Sequence, residues 1–296
     1  MIKKTIFIMF LILLVGNLNA EAKTYKMVFV PASEKGDEID YTNLISITEK
    51  ISGFNIDIIK VTDYNAAVEA MRAGRAHIAW YGGNTYVKAA EIANAEAFAA
   101  GVRPGEKDAG YYTYFVVKKD SKLKEFKEVK GKILSLNTIG STSGDLIPQV
   151  ELNKINISIK KEDHFKNVFY AGSHDACLLA VINNQSDVCG MSSRNFEARL
   201  EDGTFKQDDI RIIHKSDRVP PPPLAYSKLI PLVDREKIKS AVLESHKHGE
   251  IGGYGGKMSH YMEVKDSDYN VLRDVIALLE KNKSWNIKQG YHACSK

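Results

Sequence analysis

Past its first two dozen residues the chain has no apolar run long enough to cross a bilayer as a helix, which takes about 20 residues, so it is not read as membrane-embedded. It also lacks a strong charge of either sign: 41 basic against 37 acidic side chains leave +4. That balance is too even to argue for a nucleic acid or an anionic membrane surface as partner. Internal repeats and low-complexity tracts are missing, and 44% hydrophobic residues suit packed cores rather than a disordered chain. Cysteine is scarce, at three residues: Cys177, Cys189 and Cys294.

What is present begins with residues 1–22, which have the parts of an export signal. Lys3 and Lys4 form the charged start, Ile6 to Val15 the apolar run, and Ala20-Glu21-Ala22 a small-x-small site that puts cleavage before Lys23. The apolar run is too short to span a bilayer, and no cysteine lies near the cut for lipid attachment. The expectation is a soluble protein exported to a bacterial periplasm. The remaining residues, about 270, suit two lobes of ordinary size. In an oxidising compartment three cysteines leave at least one thiol unpaired. Cys177 falls on an expected helix and Cys189 on the strand after it. A bridge between them and a pair of buried thiols packed as small hydrophobes both remain open.

Short apolar strands alternate with amphipathic helices along the chain. Strands are expected at Lys26–Val30, Ile56–Val61, Ile78–Trp80, Tyr111–Lys118, Lys132–Leu136, Val168–Tyr170 and Asp187–Gly190. Helices are expected at Tyr41–Ile51, from an Asp63 cap to Ala73, at Thr85–Ala93, from Ser143, at His174–Ile182, and late in the chain at Asp234–His248 and Ser267–Leu279. The βαβ rhythm predicts mainly parallel sheets with helices on both faces. Four consecutive prolines, Pro220 to Pro223, cannot continue a helix or a central strand and mark a stiff crossing. Two lobes joined by two crossings make a clamshell whose ligand lies at the carboxyl ends of the strands.

The most informative stretch is Gly140-Ser141-Thr142-Ser143-Gly144, a hydroxyl-rich turn between an expected strand and an expected helix. The leading N–H groups of a helix lack internal acceptors and carry its positive dipole end, so such a turn captures anions. A lone serine there would more often be a simple helix cap; three hydroxyls between two glycines favour a binding turn. Read alone, Tyr64, Tyr81 and Tyr111 are packing residues and His174 a helix cap. His246, His248 and His260, spread through a glycine-rich region, make a poor metal set. No cofactor is called for.

Ordered motifs change the reading of those residues. Asp63-Tyr64, Glu69 to Gly74, Ile78-Ala79-Trp80-Tyr81-Gly82, Gly110-Tyr111, Lys119-Asp120-Ser121, Ser141 to Gly144 with Pro148, Ala171 to Ala176, and Pro223-Leu224-Ala225 occur in sequence over residues 25–227. In these the chain resembles the phosphonate-binding periplasmic proteins of ABC transporters. The resemblance implies an α/β, two-lobed type II periplasmic binding fold with mixed, mainly parallel sheets and two hinge crossings. The first lobe is then residues 23–115 with 225–296, and the second 116–224. It also implies that Ser141, Thr142, Ser143 and His174 hold a small phosphorus oxyanion (phosphonate, phosphite or phosphate) with Tyr64 and Tyr111. Tyr81 lies near enough to take part. The implied partner is an inner-membrane ABC permease; a sensor feeding a two-component kinase would use the same cleft. An enzyme with Cys177 or His174 as nucleophile or base lacks an orienting carboxylate, because Asp175 points elsewhere by helical spacing.

The chain departs from the family at two places. Where aminoalkylphosphonate binders of the family present carboxylates to the ligand's amino group, this sequence has Arg194 and Pro222 or a neighbouring proline. The expectation is that 2-aminoethylphosphonate is disfavoured, and that Arg194 favours a ligand with a second acidic group.

Overall fold

The computed structural model describes residues 22–34, 40–160 and 163–281, so the expected export signal lies outside the described residues apart from Ala22. The first sheet grows from β1 (Thr24–Phe29), α1 (Thr42–Ser52), β2 (Asn55–Ile59), α2 (Tyr64–Arg72), β3 (Ile78–Trp80), α3 (Gly83–Ile92) and β4 (Ala95–Val102). The chain crosses to a second sheet through β5 (Thr113–Lys118), β6 (Ile133–Leu136), α4 (Ile147–Lys154), β7 (Asn167–Tyr170), α5 (His174–Ile182), β8 (Val188–Ser192), α6 (Ser193–Glu201) and β9 (Ile210–Lys215). It returns through β10 (Leu224–Ser227), α7 (Leu232–Glu244), β11 (Ile251–Gly253), β12 (Gly256–Met258), β13 (His260–Glu263) and α8 (Asn270–Lys281).

The main strand orders are β13-β4-β10-β3-β1-β2 and β7-β6-β8-β5-β9. In each sheet β–α–β units supply a parallel set, β2-β1-β3 and β7-β6-β8. The strands that enter or leave by the crossings, β10 and β5, are antiparallel to their neighbours. Thr113, expected in the first lobe, pairs with Ser192 of the second sheet, and Leu224, expected in the second, pairs with Trp80 of the first.

Local chemistry sets the ends of the helices. The Asp63 side chain accepts from Ala66 N at 2.8 Å, and Ser173 Oγ accepts from Ala176 N at 3.0 Å, so each satisfies an N–H left over at a helix start. Asn94, Asn156 and Asn184, with φ of 54°, 59° and 58°, close α3, α4 and α5 in the left-handed conformation that asparagine tolerates.

Strand alternation then divides the second lobe's interior. Phe115 and Val117 of β5 join Leu134, Leu136 and Val188 on one face, while Val116 joins Cys189, Met191 and Phe196 on the other. On that second face Cys177 of α5 and Cys189 of β8 form a disulfide with Cα atoms 5.8 Å apart, which decides between the two states left open by the sequence.

Seven elements were not anticipated: β4, α6, β9, β10, β11, β12 and β13. The alanine-rich β4, Ala95-Glu-Ala-Phe-Ala-Ala-Gly-Val102, lacks the β-branched alternation of a typical strand. It is a strand because it lies inside the sheet, hydrogen-bonded to β10 and β13.

The two crossings touch each other. Tyr111 and Val219 exchange backbone hydrogen bonds of 3.1 and 2.8 Å, and the Arg218 guanidinium pairs with Asp108. The proline run is held at both ends, with Tyr269 donating to Pro221 O at 3.0 Å and Tyr81 N to Pro223 O at 3.0 Å. No helix among the described residues is long and apolar enough to cross a membrane.

Candidate functional site

The hydroxyl turn follows β6 and opens a helix, though its first turn is π-helical, Thr142–Leu146, before α4 takes over. Ser141 is the cap, its Oγ accepting from Gly144 N at 3.1 Å. Two glycines are required by geometry. Gly140 has φ of 92°, and a Cβ on Gly144 would lie 2.1 Å from Asn137 Cβ.

The structure brings all six of the principal sequence-predicted residues to one cavity. Tyr64, Tyr111, Ser141, Thr142, Ser143 and His174 line it, together with Trp80, Pro222 and Tyr254 and the small residues Ala32 and Gly82. Each of the six is at most 3% exposed. The free space is about 10 Å³, room for little more than one water-sized group, which points to a small solute.

Both lobes and a crossing contribute. Tyr64 stands on the first turn of α2, where its Cβ faces Gly140 of the opposite lobe. Tyr111 comes from the first crossing and hydrogen-bonds with Ser143 and Thr142; burial raises its pKa and keeps the phenol protonated. Thr142 Oγ1 accepts from Asn84 N at 2.9 Å, and Gly140 O accepts from Asn84 Nδ2 and Thr85 Oγ1 at 3.1 and 3.0 Å. Further along the cleft His174 N donates to Ala32 O at 3.2 Å. These bonds join the lobes, so the clamshell is closed.

The chemistry is that of neutral donors. His174 Nδ1 accepts from Ser192 N at 3.2 Å, which leaves the proton on Nε2. Burial pushes the His174 pKa down to about 3, so the ring is neutral. Ser141 already accepts through its oxygen, so its hydroxyl proton remains to be donated. Behind the turn Asp145 accepts from Gly140 N (2.9 Å), Gln149 Nε2 (2.7 Å) and Tyr170 OH (2.8 Å), and burial raises its pKa to about 6. Asp145 braces the turn without lining the cavity.

Two sequence-predicted residues lie elsewhere. Tyr81 is fully buried in the first lobe's core, with its hydroxyl donating to Ala67 O at 3.3 Å. Arg194, on the first turn of α6, is 2% exposed; it donates through Nη2 to Glu106 Oε2 at 3.1 Å and to Ala109 O at 2.9 Å. It is not among the residues lining the cavity. A carboxylate of this chain, Glu106, meets it from the crossing. His246 and His260 meet as rings 6.1 Å apart, and no group of three metal-ligating side chains occurs among the described residues.

Sequence reasoning passed over Trp80, Tyr254 and Asn84 as site residues. Asn84 follows the Gly82-Gly83 turn at the start of α3, the same kind of signal as Ser141, and could have been read. Tyr254 lies in the last part of the chain, where no motif marks it.

A family model described as "ABC transporter, phosphonate, periplasmic substrate-binding protein" matches residues 27–269. The chain belongs to that family. Among curated relatives, it is 29% identical over 212 residues to a phosphonates-binding periplasmic protein of Escherichia coli, covering 70% of this chain and 61% of the relative. It is 26% identical over 207 residues to a phosphate-import protein of Mycolicibacterium smegmatis, covering 67% of this chain and 64% of the relative. The chain thus spans less than two thirds of the length of these relatives. Among solved structures, the binding-protein component of an ABC phosphonate transporter from Pseudomonas aeruginosa superposes with a TM-score of 0.77 at 19% identity, covering 92% of this chain and 93% of that one. A Prochlorococcus marinus protein in complex with methylphosphonate superposes with a TM-score of 0.76 at 21% identity, over 88% and 99%. At these identities the structures establish the shared two-lobed fold.

Proposed function

We propose that this protein is a periplasmic receptor that closes on a small phosphorus oxyanion and delivers it to an inner-membrane ABC permease. The observation that carries the reading is the meeting of Ser141, Thr142, Ser143, Tyr64, Tyr111 and His174 around one closed, small cavity. A buried anion is tolerable when its oxygens are fully hydrogen-bonded, and these six side chains are all donors. The moving parts would be residues 23–115 with 225–296 and residues 116–224, adjusted at their edges by the pairings of Thr113 and Leu224. A cleaved export signal at residues 1–22 fits the periplasmic site of action. The reading is one of binding without catalysis: the thiol that an enzyme would use, Cys177, is in a disulfide.

Among the described residues no charged side chain lines the cavity, so neither an ammonium nor a second acidic group of the ligand has an opposite charge among them to meet. A thermal-shift screen of the protein without residues 1–22 is expected to rank phosphate, phosphite and methylphosphonate above 2-aminoethylphosphonate and phosphonoacetate. A preference for either of the last two would overturn this part of the reading. No response to any of the five would remove the receptor function.

Thr142→Val tests the turn itself. It preserves volume, removes one ligand donor and strands the Asn84 N–H that Thr142 accepts in the closed form. Affinity should fall by about 1.5–3 kcal/mol, or roughly ten- to a hundredfold. Unchanged affinity by calorimetry, in a variant with native unfolding behaviour, would take Thr142 out of the site.

A further inference from the structure

Among the buried polar side-chain atoms of the described residues that have no hydrogen-bond partner, Trp80 Nε1 is the one whose residue lines the cavity. Trp80 ends β3, at the carboxyl edge of the first sheet, and is 2% exposed. The indole N–H is a donor with no acceptor capacity. Buried tryptophan normally finds a partner for it, because a stranded donor carries its full desolvation penalty. A phenylalanine would fill much of the same space without that penalty. The ring is also held in place: it packs at a tilt on Tyr254, with centroids 4.9 Å apart, and on Tyr41 at 5.8 Å. A donor fixed in this way loses little freedom when a ligand arrives.

We propose that Trp80 is a ligand-binding residue whose Nε1–H donates to an oxygen of the captured phosphorus oxyanion. The inference rests on the receptor reading above and deepens it. The hydroxyl turn and His174 serve the ligand from the second lobe, and Tyr111 serves it from the crossing. The first lobe otherwise offers the phenols Tyr64 and Tyr254. Trp80 adds a rigid aromatic donor to them, and closure brings it against an oxygen that the turn leaves short of a partner. Trp80 also excludes water from that side, which strengthens every hydrogen bond in the cavity.

The test is Trp80→Phe, which keeps an aromatic ring and removes the donor. The probes are inorganic phosphate and methylphosphonate, each titrated by calorimetry into the wild-type protein and the variant. Affinity for the probe that wild type binds should fall about tenfold, while the melting temperature of the ligand-free variant stays level or rises, since a stranded donor has gone. A purely structural role would move these the other way, lowering stability and sparing affinity. Wild type that binds, with a variant that binds equally well, would overturn the inference and leave the receptor reading standing. Wild type that binds neither anion would overturn both. If the variant does not fold, the wild-type indole N–H resonances decide. The chain has two tryptophans, assigned by replacing Trp285 instead, and the Trp80 signal should move on saturation with the anion. A Trp80 resonance that stays in place would end the proposal.

Discussion

Between pH 6 and pH 4, His174→Gln should gain unfolding free energy relative to wild type, and Asp145→Asn should lose it. The two groups titrate in opposite senses. Burial pushes the His174 pKa down to about 3, against roughly 6.5 when unfolded. Below pH ~6.5 the unfolded chain takes up a proton that the native one refuses. His174 therefore contributes stability that is present above that pH and is lost as pH falls toward 3, at about 1.4 kcal/mol per pH unit. The full loss is about 4–5 kcal/mol.

Asp145 runs the other way. Burial raises its folded pKa to about 6, against roughly 3.9 unfolded. The native state keeps its proton where the unfolded state has released it, so the stability Asp145 contributes is present below about pH 4 and is lost as pH rises through 6. Across pH 4 to 6 the two contributions nearly cancel in wild type. Removing either exposes the other, with an expected divergence of about 2–3 kcal/mol per variant, read from urea unfolding at several pH values. Parallel pH profiles for wild type and His174→Gln would show that His174 charges freely in the native protein.

Breaking the disulfide should be nearly as costly. Cys177 and Cys189 are fully buried and 12 apart in sequence, and they tie α5 to β8 beneath the cleft. Closing a loop of about 15 residues is worth about 3 kcal/mol through the unfolded chain. The Cys177→Ala, Cys189→Ala double variant should melt roughly 6–12 °C lower. His174 begins the same helix as Cys177, so affinity should fall less than stability. If the wild-type protein contains two free thiols by mass after alkylation, the bridge is absent and this expectation goes with it.

The sequence by itself determined the alternation of strands and helices, because burial on a sheet face and on a helix stripe leaves periods that can be counted. It determined the glycine-flanked hydroxyl turn as well. Ser141, Thr142 and Ser143 sit between two glycines, and the backbone permits nothing larger at Gly144, so local chemistry and local geometry coincide there. Tyr64, Tyr111 and His174 were legible only as members of an ordered set of motifs, since each alone reads as packing or capping.

Tertiary structure decided what depends on residues distant in the chain. Arg194 pairs with Glu106, 88 residues earlier, a partner that no spacing in the sequence marks. Whether Cys177 and Cys189 pair depends on how α5 lies on β8, which spacing alone leaves open. The alanine-rich β4 is a strand because β10 and β13 flank it. Trp80 and Tyr254 stand 174 residues apart and share a wall of the cavity because the last part of the chain folds back on the first lobe. Short-range periodicity carries no record of such pairings, since the contact energy that selects them arises only after the chain has closed the loops between the partners.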